Sequence, residues 1–168
     1  MSGEIGGMDR EEAPTTEAGE RRVFVARDPD FERRVRDSFA RQGFLMHCGA
    51  IVDTVAPGHV DVSVGRTAAL TQQHGLFHGG LIATLADTAA GYAALSLMRP
   101  DAGVLSVEFK LNFIAPARGE RLVARGRVLR PGRTLTVCRA DVETIDGGRV
   151  SEVATALLTM MCVDGFQD

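Results

Sequence analysis

One acid stands in the middle of the longest apolar-periodic stretch of this chain. From Gln72 to Met98 the sequence reads QQHGLFHGGLIATLADTAAGYAALSLM, and Asp87 is the only acidic residue in that run. An acid among apolar residues is costly unless it is paired, hydrogen-bonded or turned toward a cavity. Asp87 is therefore a candidate general base or nucleophile. Upstream lies a polar, glycine-rich run with Gln72, Gln73, His74, Gly75, His78, Gly79 and Gly80. If Gly79 and Gly80 open a helix, their N–H groups lack internal partners and sit at its partly positive end. Without a β-carbon they also let another molecule come close to the backbone. His74, His78 and Asp87 could be read as a metal set. The loop through Gly75 is not expected to be helical, however, and no HExxH is present, so no metal is expected.

The elements that must hold these residues follow from periodicity. Leu81, Ile82, Leu85, Ala86, Ala89, Ala90, Ala93, Ala94 and Leu97 recur at helical spacing and form a wide stripe. Arg99-Pro100 closes this helix. With 21 residues it would span about 31 Å, comparable with the width of a sheet. Its alanines let a sheet approach closely. A first, amphipathic helix is expected from Asp30 to Gln42, where Phe31, Val35 and Phe39 recur every four residues, with Asp28 or Asp30 as cap and Gly43 as stop.

Phe44 to Val55 reads as a strand or strand pair, Pro57-Gly58 as a turn, and His59 to Val64 as a half-buried strand. After the long helix, Leu105 to Phe113 alternates, with Val107, Phe109, Leu111 and Phe113 on one face and Ser106, Glu108, Lys110 and Asn112 on the other. Arg121 to Arg130, Thr134 to Ile145 and Val150 to Val163 follow, separated by Pro131-Gly132 and Asp146-Gly147-Gly148 turns. The last is apolar or small on both faces, so it is expected to be central and covered on both sides, or to lie at a subunit contact. Together these give an α+β fold with a largely antiparallel sheet.

Length and composition bound the rest. The 168 residues fit a glycine-rich, acidic, disordered tail over 1–22 and a single domain over 23–168. A net charge of −3, few aromatics and no Trp speak against a nucleic-acid partner. Cys48, Cys138 and Cys162 form no CxxC pair and read as core residues in a reducing, cytoplasmic setting. The long helix carries an acid and many small residues, so it reads as a core helix and not a membrane span. Arg118, Arg130 and Arg133 fall in loops as solvated arginines, although arginines there could meet phosphates.

The run HGLFHGGLIATLADTAAGYAA, with Gln72 before it, resembles the signature of the hotdog-fold acyl-CoA thioesterases of the PaaI-like, phenylacetate-pathway type. That pattern has an amide residue, then HGG, then an acid nine positions after the histidine; here these are Gln72, His78-Gly79-Gly80 and Asp87. Many members of that family carry Asn where this chain has Gln72. Ser106 to Phe113 followed by Ala115-Pro116-Ala117 resembles the family strand after the helix. The resemblance covers about Gly43 to Val163. It implies a curved antiparallel sheet wrapped round one long central helix, a dimer or dimer of dimers, no cofactor, and hydrolysis of an acyl-CoA thioester with an aryl or medium-chain acyl group.

In that chemistry Asp87 would activate water or attack directly, and the Gly79 N–H would hold the oxyanion. Gln72 would hold the water or the carbonyl, and Ser106 would bond the water or orient Asp87. His78 and Gly80 would form the substrate-binding start of the helix, with His78 as cap or brace. Phe39 and Phe44 could line an acyl tunnel.

Gly79 and Asp87 are eight residues apart, hence about 12 Å along one helix, whereas reacting groups must come within about 3–3.5 Å. A dimer interface is therefore expected, with Gln72 and Gly79 from one subunit and Asp87 and Ser106 from the other. Two rivals differ in class: an acyl-CoA-binding hotdog domain without catalysis, and a hydratase or dehydratase, which would want an acid and a histidine converging on a Cα–Cβ bond.

Overall fold

A computed structural model of the chain describes residues 23–165, and the tail expected over 1–22 lies outside the described residues. The elements run α1 (Phe31–Ala40), α2 (Gly43–Cys48), β1 (Ala50–Ala56), β2 (His59–Gly65), a 3-10 turn (Ala68–Leu70), α3 (Gly79–Leu95), β3 (Ala102–Phe113), β4 (Arg121–Arg130), β5 (Leu135–Asp146) and β6 (Arg149–Asp164). The six strands form one sheet in the order β1-β2-β4-β5-β6-β3, and every pairing is antiparallel.

The long helix α3 packs on one face of this sheet and supplies its second layer. Leu85, Ala86, Ala89, Ala90, Ala93 and Ala94 are all buried. The small residues matter because helix and sheet touch backbone to backbone: a β-carbon at Gly126 of β4 would overlap the Ala89 carbonyl. Overpacking of that kind costs about 1–3 kcal/mol. The helix is shorter than its apolar stripe, ending at Leu95 with Ser96 as cap. The Ser96 hydroxyl donates to the Ala93 carbonyl and accepts from the Gly58 N–H. Arg34 of α1, paired with Asp28 at 2.9 Å, donates to the carbonyls of Leu95 and Arg99. This buried cation satisfies the helix C-terminus and fixes α1 against it.

Two sequence expectations are corrected. The segment after α1 is not strand from Phe44 onward. Residues 43–48 form a helical turn and a half whose Leu45 and Cys48, three apart, point inward while Phe44 and Met46 stay exposed. Gly49 closes it in the left-handed conformation at φ 69°, so Gly43 opens α2 and does not stop α1. The second correction concerns β3. A bulge falls between Ser106 and Glu108, so Ser106 pairs with Met160 and Phe109 with Leu158. Both partners are buried on the helix side of the sheet. The extra residue, Val107, shifts the alternation by one, and Ser106 faces the helix together with Phe109, Leu111 and Phe113.

β6 is central, between β5 and β3. Its helix-side residues Ala154, Ala156, Leu158 and Met160 are buried, but Leu157 on the other face is 53% exposed, so one chain covers only one of its faces. That outer face carries charge ladders instead. Arg125 bonds both Asp61 and Glu143. Burial pushes the Asp61 carboxyl up, but His59 and Arg125 outweigh it and hold that group below the usual carboxylate range.

Candidate active site

The loop before α3 is held by its own backbone. Gln72 accepts from the Gly75 N–H at 2.9 Å and donates to the Leu76 carbonyl at 2.8 Å. Gly75 takes φ +71°, which favours glycine, and Arg66 donates to its carbonyl at 2.6 Å. Phe77 and His78 are tied back to Ala117 and Leu70. This brings Gln72 beside the first turn of α3.

His78 is the N-cap: its Nδ1 accepts from the Gly80 N–H at 2.9 Å. The imidazole thereby does the work of a capping oxygen, and the Gly80 N–H is occupied. The Gly79 N–H, one residue earlier, has no acceptor among the described residues. A β-carbon on Gly79 would stand 3.2 Å from Cζ of Phe113, so the end of β3 leans over this donor. Gln72, Leu76, Gly79, Ile82, Phe113 and Pro116 line a mainly apolar cleft of about 530 Å³.

Asp87 lies about two turns further along α3. The Ser106 hydroxyl donates to its Oδ1 at 2.6 Å, a short charge-assisted bond. The bulge in β3 makes this possible by turning Ser106 to the helix side. Asp87, half-buried, and Ser106, exposed, border a second cleft of about 440 Å³ with Thr88, Gly91, Tyr92 and the end of α1. The donor and the acid therefore open into different clefts of one chain.

Four groups in the second cleft were not singled out by sequence: Ser38, Arg41, Gln42 and Tyr92. Gln42 donates to the Tyr92 hydroxyl at 2.6 Å, and the Ser38 hydroxyl lies 3.1 Å from it. The signal available was weak: Tyr92 is the only tyrosine in the chain and lies five residues after Asp87. Of the two phenylalanines expected near a tunnel, Phe39 is buried against Tyr92 with ring centroids 5.9 Å apart, and Phe44 is 61% exposed on α2. Neither lines either of these two clefts. Arg118, Arg130 and Arg133 are exposed. Cys48 and Cys138 are buried, and burial pushes the Cys138 thiol up to about 12.

Among the described residues no group of three or more His, Cys, Asp or Glu side chains is placed to hold a metal ion. No helix among them is long and apolar enough to cross a membrane. The His78 ring is turned onto Gly80, not toward Asp87, so within one chain the acid-histidine pair that hydration chemistry would want is not assembled among the described residues.

The thioesterase superfamily profile matches residues 74–151, from the loop before His78 to the start of β6. The crystal structure of a thioesterase family protein from Silicibacter pomeroyi is similar over 80% of this chain and 99% of its own, with 47% sequence identity and a TM-score of 0.79. Human acyl-coenzyme A thioesterase 13 is 34% identical over 98 residues, covering 58% of this chain and 69% of that protein. The PaaI protein of the E. coli phenylacetic acid degradation operon shares the fold, with a TM-score of 0.72 over 81% of this chain and 95% of its own at 20% identity.

Proposed function

This chain belongs to the thioesterase superfamily and is a hotdog-fold thioester hydrolase of the PaaI type, and from that premise we propose that it hydrolyses an acyl-coenzyme A, with an aryl or medium-chain acyl group, at sites completed across a homodimer. The human relative is named for acyl-coenzyme A, which supports that substrate class. The observation that carries the two-subunit reading is the split of the site. Gln72 and the Gly79 N–H open into one cleft and the Asp87–Ser106 pair into the other.

The edge of the sheet supports the same reading. β3 is an outermost strand of 12 residues. Leu105, Val107, Phe109 and Phe113 on it are between 43% and 59% exposed. A long apolar edge with unpaired backbone groups is a template for another strand. Its two ends differ: Ser106 marks the Asp87 end and Phe113 the Gly79 end. Antiparallel pairing of β3 with its own copy about a two-fold axis would bring the Asp87 end of one subunit to the Gly79 end of the other. Pairing these dimers in turn would give a tetramer, and the three free cysteines fit a cytoplasmic enzyme.

In such a site Asp87 takes a proton from water, whose oxygen attacks the thioester carbonyl, or attacks that carbon itself. Ser106 positions the carboxylate. The developing oxyanion accepts the Gly79 N–H of the other subunit at the positive end of α3, and Gln72 steadies the carbonyl or the water. Collapse breaks the C–S bond, and the coenzyme A thiolate leaves with a proton. The reading is tested by thiol release from aryl- and alkanoyl-CoA esters, comparing wild type with Asp87→Asn. Asparagine keeps size and removes the base, so kcat is expected to fall by at least about 100-fold with the fold intact by circular dichroism. Equal turnover by both would remove Asp87 from the chemistry.

A further inference from the structure

Gly91 is not required by the backbone of α3. It lies within the helix, and a β-carbon added there would meet nothing within 4 Å. A glycine at such a position weakens a helix relative to alanine. What it provides is space, because Gly91 floors the cleft one helical turn beyond Asp87.

The far wall of that space is polar. Gln42 and Ser38 surround the Tyr92 hydroxyl, and Arg41 borders the same cleft from the end of α1. The Arg41 guanidinium has no side-chain partner among the described residues, whereas the acids of its own helix are engaged: Glu32 pairs with Arg36 and Asp37 with Arg33. Asp87 is the one acid lining the cleft, and Ser106 already bonds it. A methyl-ended chain pressed against this wall would strip water from donors and give them nothing in return. A carboxylate would accept from the guanidinium and from the Gln42 amide.

We propose that the acyl group lies over Gly91 and ends in a carboxylate held by Arg41 and Gln42, so that the preferred substrates are mono-thioesters of dicarboxylic acids. This rests on the thioesterase reading above and narrows its acyl group. The same guanidinium could instead take a phosphate of coenzyme A, and the two sources separate cleanly. A phosphate is common to every coenzyme A ester and absent from a pantetheine ester, whereas the terminal carboxylate goes with the acyl chain.

The test is kcat/KM for adipyl- and heptanoyl-CoA, and for the matching pantetheine esters, with wild type, Arg41→Gln, Arg41→Lys and Gly91→Leu. Wild type is expected to favour adipyl over heptanoyl by about tenfold or more, the worth of a hydrogen bond to a charged group. Arg41→Gln should erase that preference in both ester series, and Arg41→Lys should retain part of it. Gly91→Leu should slow both acyl chains by filling the floor. Equal rates for the two chains in wild type would overturn the proposal. So would a loss in Arg41→Gln that is the same for both chains and vanishes with pantetheine esters, which would mark a phosphate contact. If no ester is turned over, the thioesterase reading fails instead. Calorimetric binding of adipyl-CoA against heptanoyl-CoA, by wild type and Arg41→Gln, then decides the acyl-terminus claim by the same preference.

Discussion

At the first turn of α3, Gly79 offers a backbone N–H beneath the ring of Phe113, in a cleft walled by Leu76, Ile82 and Pro116. About two turns on, Asp87 accepts from Ser106 in a cleft walled by Thr88, Tyr92, Ser38 and Arg41. The first place has a donor with nothing to receive it and mainly apolar walls. The second has an acid already positioned and polar walls. Neither has both an open helix N–H and a carboxylate, and a helix is too rigid to bring its own first and third turns together. Under the proposed two-subunit reading, a chain can carry every catalytic group and still hold no complete site, because each half finds its complement on another copy.

The largest expected effect comes from separating the copies. Val107 is 52% exposed on the edge strand, so Val107→Lys should leave the chain folded while placing a charge where β3 would pair with itself. Light scattering should show monomers, and turnover at concentrations where monomers dominate should fall by about 100-fold or more, as for loss of the base. A monomer with full activity would place a complete site within one chain. Next is the donor itself. Gly79 is the first helical residue, where proline is tolerated, and His78 already holds the extended conformation that proline requires before it, at φ −66° and ψ 135°. Gly79→Pro therefore deletes one N–H without breaking the helix, and kcat is expected to fall by about 100- to 1,000-fold. Gly79→Ala keeps the N–H and only crowds Phe113, so it should retain far more activity; equal losses would mean that shape at this position matters, not the donor.

A smaller effect is expected at Ser106. Its bond to Asp87 is charge-assisted but solvent-exposed, so Ser106→Ala should lower kcat by about tenfold, the low end for a hydrogen bond to a charged group. Ser106→Thr, which keeps the hydroxyl, should recover part of it. No loss in the alanine variant would leave Ser106 as an ordinary strand residue.

Much of this was legible in the sequence because the signals were local. The apolar stripe around Asp87 fixed α3, the alternation of β2 through β6 fixed the strands, and the glycine pair marked where α3 begins. Gln72 and Gly79 line one cleft and Asp87 and Ser106 the other, while His78 and Gly80 form the N-terminal cap of α3. What sequence did not show depended on one-residue geometry and on contacts distant in the chain. The bulge at Val107 carries no residue-type signature, so strict alternation puts Ser106 on the wrong face of β3, and of the two roles open to it in the sequence, at the water or at Asp87, the structure shows the bond to Asp87. The turn at 43–48 reads as strand because six residues hold too few periods to tell one pattern from the other. Arg41, Gln42 and Ser38 reach the cleft because α1 is docked on α3, by Arg34 at its far end and by Phe39 against Tyr92, and the Arg34–Leu95 contact spans a sequence separation of 61 that no local pattern contains.

If donor and base come from different subunits, as proposed, two inactive variants should complement each other in a mixed dimer. Asp87→Asn and Gly79→Pro chains, differently tagged, would be co-expressed and the mixed dimer isolated by sequential affinity steps. If the site is shared, one of its two sites pairs an intact Gly79 with an intact Asp87, and the mixed dimer should recover about half the wild-type turnover although both parents are nearly inactive. A mixed dimer as inactive as its parents would place the donor and the base within one chain.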